Sequence, residues 1–469
     1  MVLIRSDRWQ LNPTTVHRQY MERTELLYRR YVAALTGVVY AHWVEISNAS
    51  SQCAAVEELI HRTTKNPNPR YQYFCRNFPK FPSYLRRAVI QAVIGQVSSF
   101  VTRYNRWQGG IRSRRDVLPP RLTAETNLHV VLYRGQCIRF YEKYVEIKLY
   151  DGKDWGWTQV PVVQQQKRHL LPNSKALSPS LVLLGKETYL SVPFQIEPPK
   201  LEKPARVCSV DLGVNTTATA SIVEPDGTVT ARLFICCAAD IDHRDKRLQA
   251  IRHKARLTMG KKGKLYKGFC QSIYRKAGNI NRQIAQLVSR RLVDWATQHD
   301  ASVIVFENLK GWRPKAGKKG EAATCDLLCN SRSIGGSSLR QRFHGWLHRM
   351  LVKLTEEKFA EAGGRTEFVF ARGTSSWAFD GSGQVKRDKK NYSLATFSTG
   401  KQYNCDLCAS YNIGARYWAS KNKKLVRRNG SESVSGKSSR TEPRSRVSLS
   451  SLWPHPPKAW SKMPHLQSS

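Results

Sequence analysis

Apolar residues recur at the helical period in the first part of the chain and then give way to alternating runs. From about residue 14 to 115, residues such as Tyr20, Leu27 and Leu35 repeat at close to the helical period with arginines between them, which predicts helices. From 128 to 194, short alternating runs separated by Gly, Asp and Asn turns predict antiparallel strands of a small β-barrel. The opening VLIRSDRWQL alternates in the same way, so we expect it to add a strand to the barrel and the helices to be an insertion.

The pattern changes again after a boundary near residues 202–204. The run ARVCSVDLGVNTTATASIV predicts two strands joined by a tight turn, and the continuous apolar run ASVIVFENL predicts a buried central strand. Between these runs, residues 240–299 carry one apolar stripe in a strongly basic helical stretch. A helix over 339–361, a strand TEFVFA and a helix over 409–417 follow.

Together these elements predict a multidomain α+β protein. A Ser-, Arg-, Lys- and Pro-rich composition with few core-forming residues further predicts that the end of the chain is disordered. The predicted segments are a first barrel strand over 1–13, a helical domain over 14–118, the β-barrel over 119–203, an α/β domain over 204–371 with the basic insertion 240–299, a subdomain over 372–404, the last part of the α/β domain over 405–420 and a basic tail over 421–469.

The excess of basic over acidic residues indicates which kind of partner the protein binds. Lysine and arginine number 77 against 35 aspartates and glutamates, which leaves a net charge of +42. A surplus of this size repels itself unless a polyanion neutralises it, so we expect a nucleic-acid partner; a ribosomal-type or a membrane-surface protein is the alternative. The sequence has no apolar run of about 18 residues and no signal-peptide layout, so we expect a cytoplasmic protein without a membrane partner.

Three acidic residues occupy comparable places in the predicted α/β domain. Asp211 and Glu307 end two apolar strands, and Asp406 lies at a strand-to-helix junction. Side chains at the carboxyl ends of neighbouring strands converge on one crevice. A bound magnesium ion, which prefers oxygen ligands, would relieve the repulsion between carboxylates that are crowded there. Two such ions roughly 3.5–4 Å apart catalyse phosphodiester hydrolysis. Taken singly, each residue is equally well explained as a turn aspartate or a helix cap.

The residues around these carboxylates resemble the RuvC-like nuclease motifs of the transposon-encoded TnpB family and of compact type V CRISPR effectors. VDLGVN at 210–215 resembles the first motif, VFENLKGW at 305–312 the second, and CDLCASYNIGAR at 405–416 the third. The order and separation of the motifs agree with the family, and the resemblance covers roughly residues 206–418.

This resemblance implies an RNA-guided DNA endonuclease with an RNase H-like α/β (RuvC) domain. Asp211, Glu307 and Asp406 would then be catalytic and would bind two magnesium ions. The helical region would be a recognition domain and the β-barrel a wedge domain. The implied partners are a guide RNA and target double-stranded DNA, which together present more phosphates than a single duplex site.

The third motif departs from the family pattern, because cysteines flank Asp406 where Ala and Asn are usual. The family's zinc ribbon is degenerate here: no cysteine occurs from 331 to 404, so packing around Trp377, Phe379, Tyr392 and Phe397 is expected to hold this insertion. A competing interpretation pairs four cysteines as a zinc site, namely Cys325, Cys329, Cys405 and Cys408. We instead expect Cys405 and Cys408 to be small buried thiols, and we expect no zinc.

Arg372, Trp312 and Tyr274 are further candidates for contact with nucleic acid, but a surface role is the better default for Arg372, and core packing is the more usual role for the two aromatic residues. Two other functions agree with the same sequence. One is a guided DNA-binding protein that does not cleave, acting as a repressor or targeting subunit. The other is a transposase that joins DNA ends with the same metal chemistry.

Overall fold

The computed structural model describes residues 2–110, 118–123, 128–172, 174–199, 201, 204–213, 216–259, 265–309, 347–388, 391, 393–429 and 447–454. The chain divides into two compact units, Met1–Glu197 and Pro198–Ser469. Both combine helices with sheet, so the predicted α+β class is confirmed. Within the described residues, no helix is at once long and apolar enough to cross a membrane.

The first unit is built on a mostly antiparallel eight-stranded sheet. The opening strand β1 pairs with β8 on one side and β5 on the other, so the helices that follow β1 are inserted between the first and second strands of the sheet. Alternating burial along β4 and β8 places every second side chain in the core, as a one-sided sheet requires. The strands are β1 (Leu3–Leu11), β2 (Val130–Val131), β3 (Ile138–Phe140), β4 (Tyr144–Tyr150), β5 (Trp155–Gln165), β6 (Lys175–Ala176), β7 (Ser180–Leu184) and β8 (Glu187–Ile196).

The helices of the first unit pack around a stripe of apolar side chains. Thr14 caps the first helix by accepting a hydrogen bond from the amide of His17. Tyr31 packs against three phenylalanines, with ring centroids 4.6–5.1 Å apart. The helices are α1 (Thr15–Ala41), α2 (Trp43–Asn48), α3 (Gln52–Ile60), α4 (Tyr73–Asn77) and α5 (Ser83–Gln108).

A five-stranded mixed sheet forms the centre of the second unit, in the order β11-β10-β9-β12-β13. The first three strands are antiparallel, whereas β12 runs parallel to both β9 and β13. All six residues of β10 are buried, because helices cover both faces of the sheet. The strands are β9 (Val207–Asp211), β10 (Ala218–Val223), β11 (Val229–Ile235), β12 (Val303–Asn308) and β13 (Arg365–Phe370), and a separate three-stranded sheet contains β14 (Lys386–Arg387), β15 (Leu394–Thr396) and β16 (Gln402–Asn404).

Two different helical layers cover the faces of the five-stranded sheet. Apolar residues of α7 (Gln271–Gln298) and α8 (His348–Glu361) form one hydrophobic core with one face of the sheet. Apolar residues of α9 (Cys405–Asn429) form a second hydrophobic core with the other face. At Gly414, α9 lies so close to β10 that a Cβ atom would approach Val223 Cγ2 to 2.7 Å. The helices are α6 (Ala238–Met259), α7 (Gln271–Gln298), α8 (His348–Glu361), α9 (Cys405–Asn429) and a 3-10 helix (Leu449–Leu452).

One predicted helix is longer than the sequence indicated. The basic stretch 240–299 contains two helices, and residues 339–346 of the predicted helix over 339–361 lie outside the described residues. The predicted helix over 409–417 begins at 405, because the Asn404 side chain accepts hydrogen bonds from the amides of Asp406 and Leu407 at 2.9 and 3.0 Å. It continues to 429 through a stretch rich in lysine and arginine, both of which favour helix.

The prediction of a disordered tail over 421–469 is wrong for two stretches. Residues 421–429 belong to α9, and residues 447–454 dock on the second unit, with Leu449 only 3% exposed. A few apolar residues, including Leu449, are enough to anchor the later stretch, although the average composition of the tail is polar. Residues 430–446 and 455–469 lie outside the described part of the chain.

Candidate functional site

The three predicted carboxylates lie on neighbouring elements of the second unit. Asp211 is the last residue of β9, and Glu307 lies near the end of the adjacent parallel strand β12. Because Val210 is paired with Phe306 in the register, the next residues, Asp211 and Glu307, end the two strands on the same side of the sheet. Asp406 is in the first turn of α9, which packs on this sheet. All three side chains are half-buried.

The charges of Glu307 and Asp406 act on the Asp211 carboxyl group. Burial raises the pKa of Asp211 well above its ordinary value, and the charges of Glu307 and Asp406 raise it further. Arg387 opposes these effects by attraction. The structure therefore brings the three predicted residues close enough for their charges to interact.

Glu307 and Asp406 are also destabilised as anions by burial, but each has a hydrogen-bond donor. Burial raises the pKa of Glu307, while a hydrogen bond from the Thr374 hydroxyl and the charge of Arg416 lower it. Burial likewise raises the pKa of Asp406, while a hydrogen bond with the Thr216 side chain and the charge of Arg387 oppose the rise. These partners orient the two carboxylates and favour their ionised forms.

Sequence reasoning missed the residues that support Glu307. Thr374 lies in a turn after β13, and Asn412 of α9 donates to the Thr374 carbonyl at 2.9 Å and to the Trp377 carbonyl at 2.8 Å. Arg416, one helical turn later, donates to the Arg372 carbonyl at 3.0 Å. Asn412 and Arg416 are both buried, at 0% and 6% exposure. The sequence did contain a signal for them: Asn412 and Arg416 are polar, lie four residues apart on one helix face and have mainly apolar neighbours.

The three carboxylates supply oxygen donors, which are the ligands expected for the magnesium that the sequence predicts. Among the described residues, no group of three or more His, Cys, Asp or Glu side chains is arranged to hold a metal ion as it stands. The donors are nevertheless all carboxylate oxygens, which hard divalent cations prefer. The three side chains are half-buried, and the charges of Glu307 and Asp406 act on Asp211, so the residue types fit a magnesium site.

Cys405 and Cys408 lie in an apolar cluster next to this site. Both are 1% exposed and pack with Phe397 and Ala395, and Cys408 donates to the Trp377 carbonyl at 3.2 Å. Burial raises the pKa of both thiols, which keeps them protonated at neutral pH. The other two cysteines of the alternative zinc interpretation, Cys325 and Cys329, lie outside the described residues.

Packing around aromatic rings holds the subdomain over 372–404. Phe379 packs against Phe397 and Tyr403, with ring centroids 5.5 and 4.9 Å apart, and this cluster lies beside the three-stranded sheet. Trp377 contributes its backbone carbonyl to the two hydrogen bonds described above. Tyr392, which was also expected in this packing, lies outside the described residues.

Two of the three candidates for nucleic-acid contact lie within the described residues. Arg372 is exposed at the start of the turn that contains Thr374, and Tyr274 is 53% exposed on α7. Trp312 lies outside the described residues. The structure therefore presents two of the three candidates to solvent and shows no contact between them and the carboxylates.

Comparison with known proteins gives matches over different parts of the chain. Residues 5–151 match the model of the Aq_aa04 family. A TnpB-like protein of Aquifex aeolicus (strain VF5), aq_aa05, is 26% identical over 255 residues, which are 50% of this chain and 76% of that protein. The resemblance to the TnpB family that the motifs indicated is thus confirmed.

Among solved structures, the protein of a Cas12f1-sgRNA-target DNA complex matches with a TM-score of 0.52 and 13% identity, over 85% of this chain and 81% of that one. The mini-RNA-guided endonuclease CRISPR-Cas_phi3 matches with a TM-score of 0.49 and 10% identity, over 88% of this chain and 92% of that one. The first of these matches shows that the chain shares its fold with the Cas12f1 protein.

Proposed function

We propose that this chain is an RNA-guided DNA endonuclease whose RuvC-like centre consists of Asp211, Glu307 and Asp406. The observation that carries the proposal is the position of the buried Asp211 within reach of the charges of Glu307 and Asp406, where β9 and β12 end and α9 begins. Although Arg387 attracts Asp211, burial and the two neighbouring charges still raise the pKa of this carboxyl. A cluster of carboxylates of this kind is what a site for divalent cations requires.

Asp211, Glu307 and Asp406 would hold two magnesium ions. When bound, such a pair supplies an aligned water and stabilises the leaving oxygen of a phosphodiester during in-line displacement. In the protein itself, the Thr374 hydroxyl orients the Glu307 carboxylate and the Thr216 side chain orients Asp406. Arg387 and Arg416 lower the repulsion among the three anions. Arg372, exposed at the start of the same turn as Thr374, is proposed to contact the DNA backbone.

Guide RNA and target DNA are the proposed partners. The TnpB-like relative, the effector fold seen with guide RNA and target DNA in the Cas12f1 complex, and the net charge of +42 support this assignment. In this scheme the helices of the first unit are the recognition domain, its eight-stranded sheet is the wedge domain, and residues 372–404 are a degenerate zinc-ribbon insertion. Tyr274 on α7 is proposed to stack on bases.

The experiment begins with the RNA that copurifies with the full chain. Sequencing this RNA identifies the guide, and a duplex that matches the guide is then offered in magnesium to the wild type and to Asp211→Ala. The proposal expects cleavage by the wild type and a loss of at least about 10³-fold in the variant, as for residues that act as one catalytic unit. Equal cleavage by both proteins would contradict it.

Other products of the same assay identify the alternatives. Tight guided binding with no nicking in magnesium or manganese would identify a DNA-binding protein that does not cleave. Joined rather than hydrolysed DNA ends would identify a transposase. Either result would replace the endonuclease proposal.

A further inference from the structure

The last described segment of the chain, residues 447–454 (the C-terminal segment), is packed into the second unit. Leu449 is 3% exposed and lies in the same apolar cluster as Tyr411 and Trp418 of α9. Ser448 and Ser450 are 4% and 8% exposed. This degree of burial makes the segment part of the folded unit, although its composition is that of the polar tail.

Four contacts fix the position of the C-terminal segment. The amide of Ser450 donates to the Phe379 carbonyl at 2.9 Å, and Gly381 is so close to Ser450 that a Cβ atom there would lie 2.5 Å from its Oγ. The amide of Leu449 donates to Asn412 Oδ1 at 3.2 Å, and Arg416 Nε donates to the Val447 carbonyl at 3.4 Å. Two of these contacts therefore involve the buried polar residues of α9.

Asn412 and Arg416 connect the C-terminal segment to the turn that supports Glu307. Through its Nδ2 atom, Asn412 donates to the carbonyls of Thr374 and Trp377, and through Nη1, Arg416 donates to the carbonyls of Phe370 and Arg372. The Thr374 hydroxyl in turn donates to Glu307. A continuous series of hydrogen bonds thus runs from the backbone of residue 449 to a proposed metal-binding carboxylate.

The donors and acceptor of the Asn412 amide allow only one orientation of this side chain. Asn412 has one oxygen acceptor and two N–H donors, and in this orientation the donors meet two carbonyls while the oxygen meets a backbone N–H. The reversed orientation would place oxygen against oxygen at the two carbonyls. If Leu449 is absent, the buried oxygen loses its donor, and Asn412 loses one of the hydrogen bonds that fix the orientation in which it holds Thr374.

We propose that the C-terminal segment is a positioning element of the nuclease centre: it orients Asn412 and Arg416, which hold the turn over 371–377 and its Thr374 hydroxyl against Glu307. This inference rests on the proposed function, because it assigns a role to Glu307 in cation binding. The segment itself does not touch the carboxylates. It acts through residues that orient one of them.

Two truncations test the proposal, each prepared with its copurified RNA. One chain ends at residue 446 and lacks the segment; the matched control ends at 454 and keeps it. In cation-free buffer, hydrogen exchange at the amides of 374 and 376 should be faster in the first chain, since these amides are bonded within the turn. Its half-saturating magnesium concentration for cleavage should rise about 10-fold, with guided DNA binding unchanged.

Identical exchange and identical magnesium dependence in the two truncations would overturn the proposal. Faster exchange without a change in magnesium dependence would also overturn it, because the segment would then only stabilise the fold. If the untruncated chain itself does not cleave guide-matched DNA, the proposed function fails, and this inference fails with it. The two failures are therefore distinguishable.

A double-mutant comparison decides the matter if the shorter truncation does not fold. Gly381→Ala introduces the close approach to Ser450 Oγ, and Ser450→Ala removes that oxygen and leaves a Cβ at 3.5 Å, an ordinary contact. The strain of alanine at φ +81° is the same in both backgrounds. Gly381→Ala should raise the half-saturating magnesium concentration several-fold more in the wild type than in Ser450→Ala, and equal effects would overturn the proposal.

Discussion

At the residue scale, the raised pKa of Asp211 links the stability of the protein to pH and to cation binding. Its pKa is raised by burial and by two neighbouring carboxylates, and Arg387 opposes this only by attraction. A carboxyl group whose folded-state pKa exceeds its unfolded value stabilises the fold below the unfolded pKa, near 3.9, and this stabilisation is lost as the pH rises through the folded pKa. Above the unfolded pKa, burial of Asp211 beside two carboxylates therefore costs the cation-free protein stability.

We predict that Asp211→Asn stabilises the protein in EDTA and abolishes its response to magnesium. The amide is nearly the same size and removes the repelling charge. Each kcal/mol relieved should raise the Tm by about 2–4 °C in thermal unfolding at pH 7.5. Magnesium should raise the Tm of the wild type, because a cation that binds only the folded state stabilises it. Equal magnesium responses in both proteins would contradict this prediction.

A second residue-scale prediction concerns the hydroxyl that orients Glu307. Thr374→Val keeps the shape of the side chain but removes the donor, whereas Thr374→Ser keeps the donor and serves as the control. Loss of a hydrogen bond that orients a metal ligand typically costs about 10–100-fold in metal affinity or activity. Cleavage by the valine variant should therefore fall by about that factor at low magnesium, while the serine variant stays close to wild type. Equal losses in both would show that the methyl group matters instead.

At the element scale, the position of α9 determines where Asp406, Asn412 and Arg416 lie. The helix packs on the sheet through small residues: Ser410 and Ser221 are joined by a hydrogen bond of 2.5 Å between their hydroxyls, and Gly414 faces Val223. Trp418 donates to the Val223 carbonyl at 3.1 Å. This close packing holds one face of the helix against β10 while its first turn presents Asp406.

Two glycine substitutions test the packing of α9. In Gly414→Ala the new Cβ would lie 2.7 Å from Val223, so we expect overpacking to lower the free energy of unfolding by about 1–3 kcal/mol. In the control Gly278→Ala, on the exposed side of α7, no atom lies within 4 Å of the new Cβ. There, helix propensity should raise stability by up to about 1 kcal/mol. Chemical denaturation measures both, and a stabilised Gly414→Ala would show that α9 does not depend on this approach.

The elements also show which parts of the site could be predicted from sequence. Strand ends are visible in an apolar run, so the positions of Asp211 and Glu307 at strand ends could be predicted from the runs VCSVD and VFEN. The structure then shows that these two strands, β9 and β12, are paired side by side. Thr374 could not be predicted, because its role depends on a turn that returns to Glu307 across 67 residues. The docked C-terminal segment was missed because the few apolar residues that anchor it were averaged into a polar tail.

At the scale of the whole molecule, the chain shares the fold of the Cas12f1 protein at only 13% identity over 85% of its length. Residues 372–404 contain no cysteine, and Phe379 packs there with Phe397 and Tyr403. The same chain combines a net charge of +42 with a buried Asp211 that interacts with two other carboxylates. A nucleic-acid-binding surface and a small acidic centre are the two features that guided cleavage of DNA requires.

The central claim is that Asp211, Glu307 and Asp406 act as one cation-binding unit. The most direct test is the single-turnover cleavage rate of guide-matched DNA by Asp211→Asn, Glu307→Gln, Asp406→Asn and the triple variant. Residues that act as a unit are strongly non-additive, so we predict that each single variant is nearly as slow as the triple variant. Losses that multiply independently from the single variants to the triple one would contradict the account.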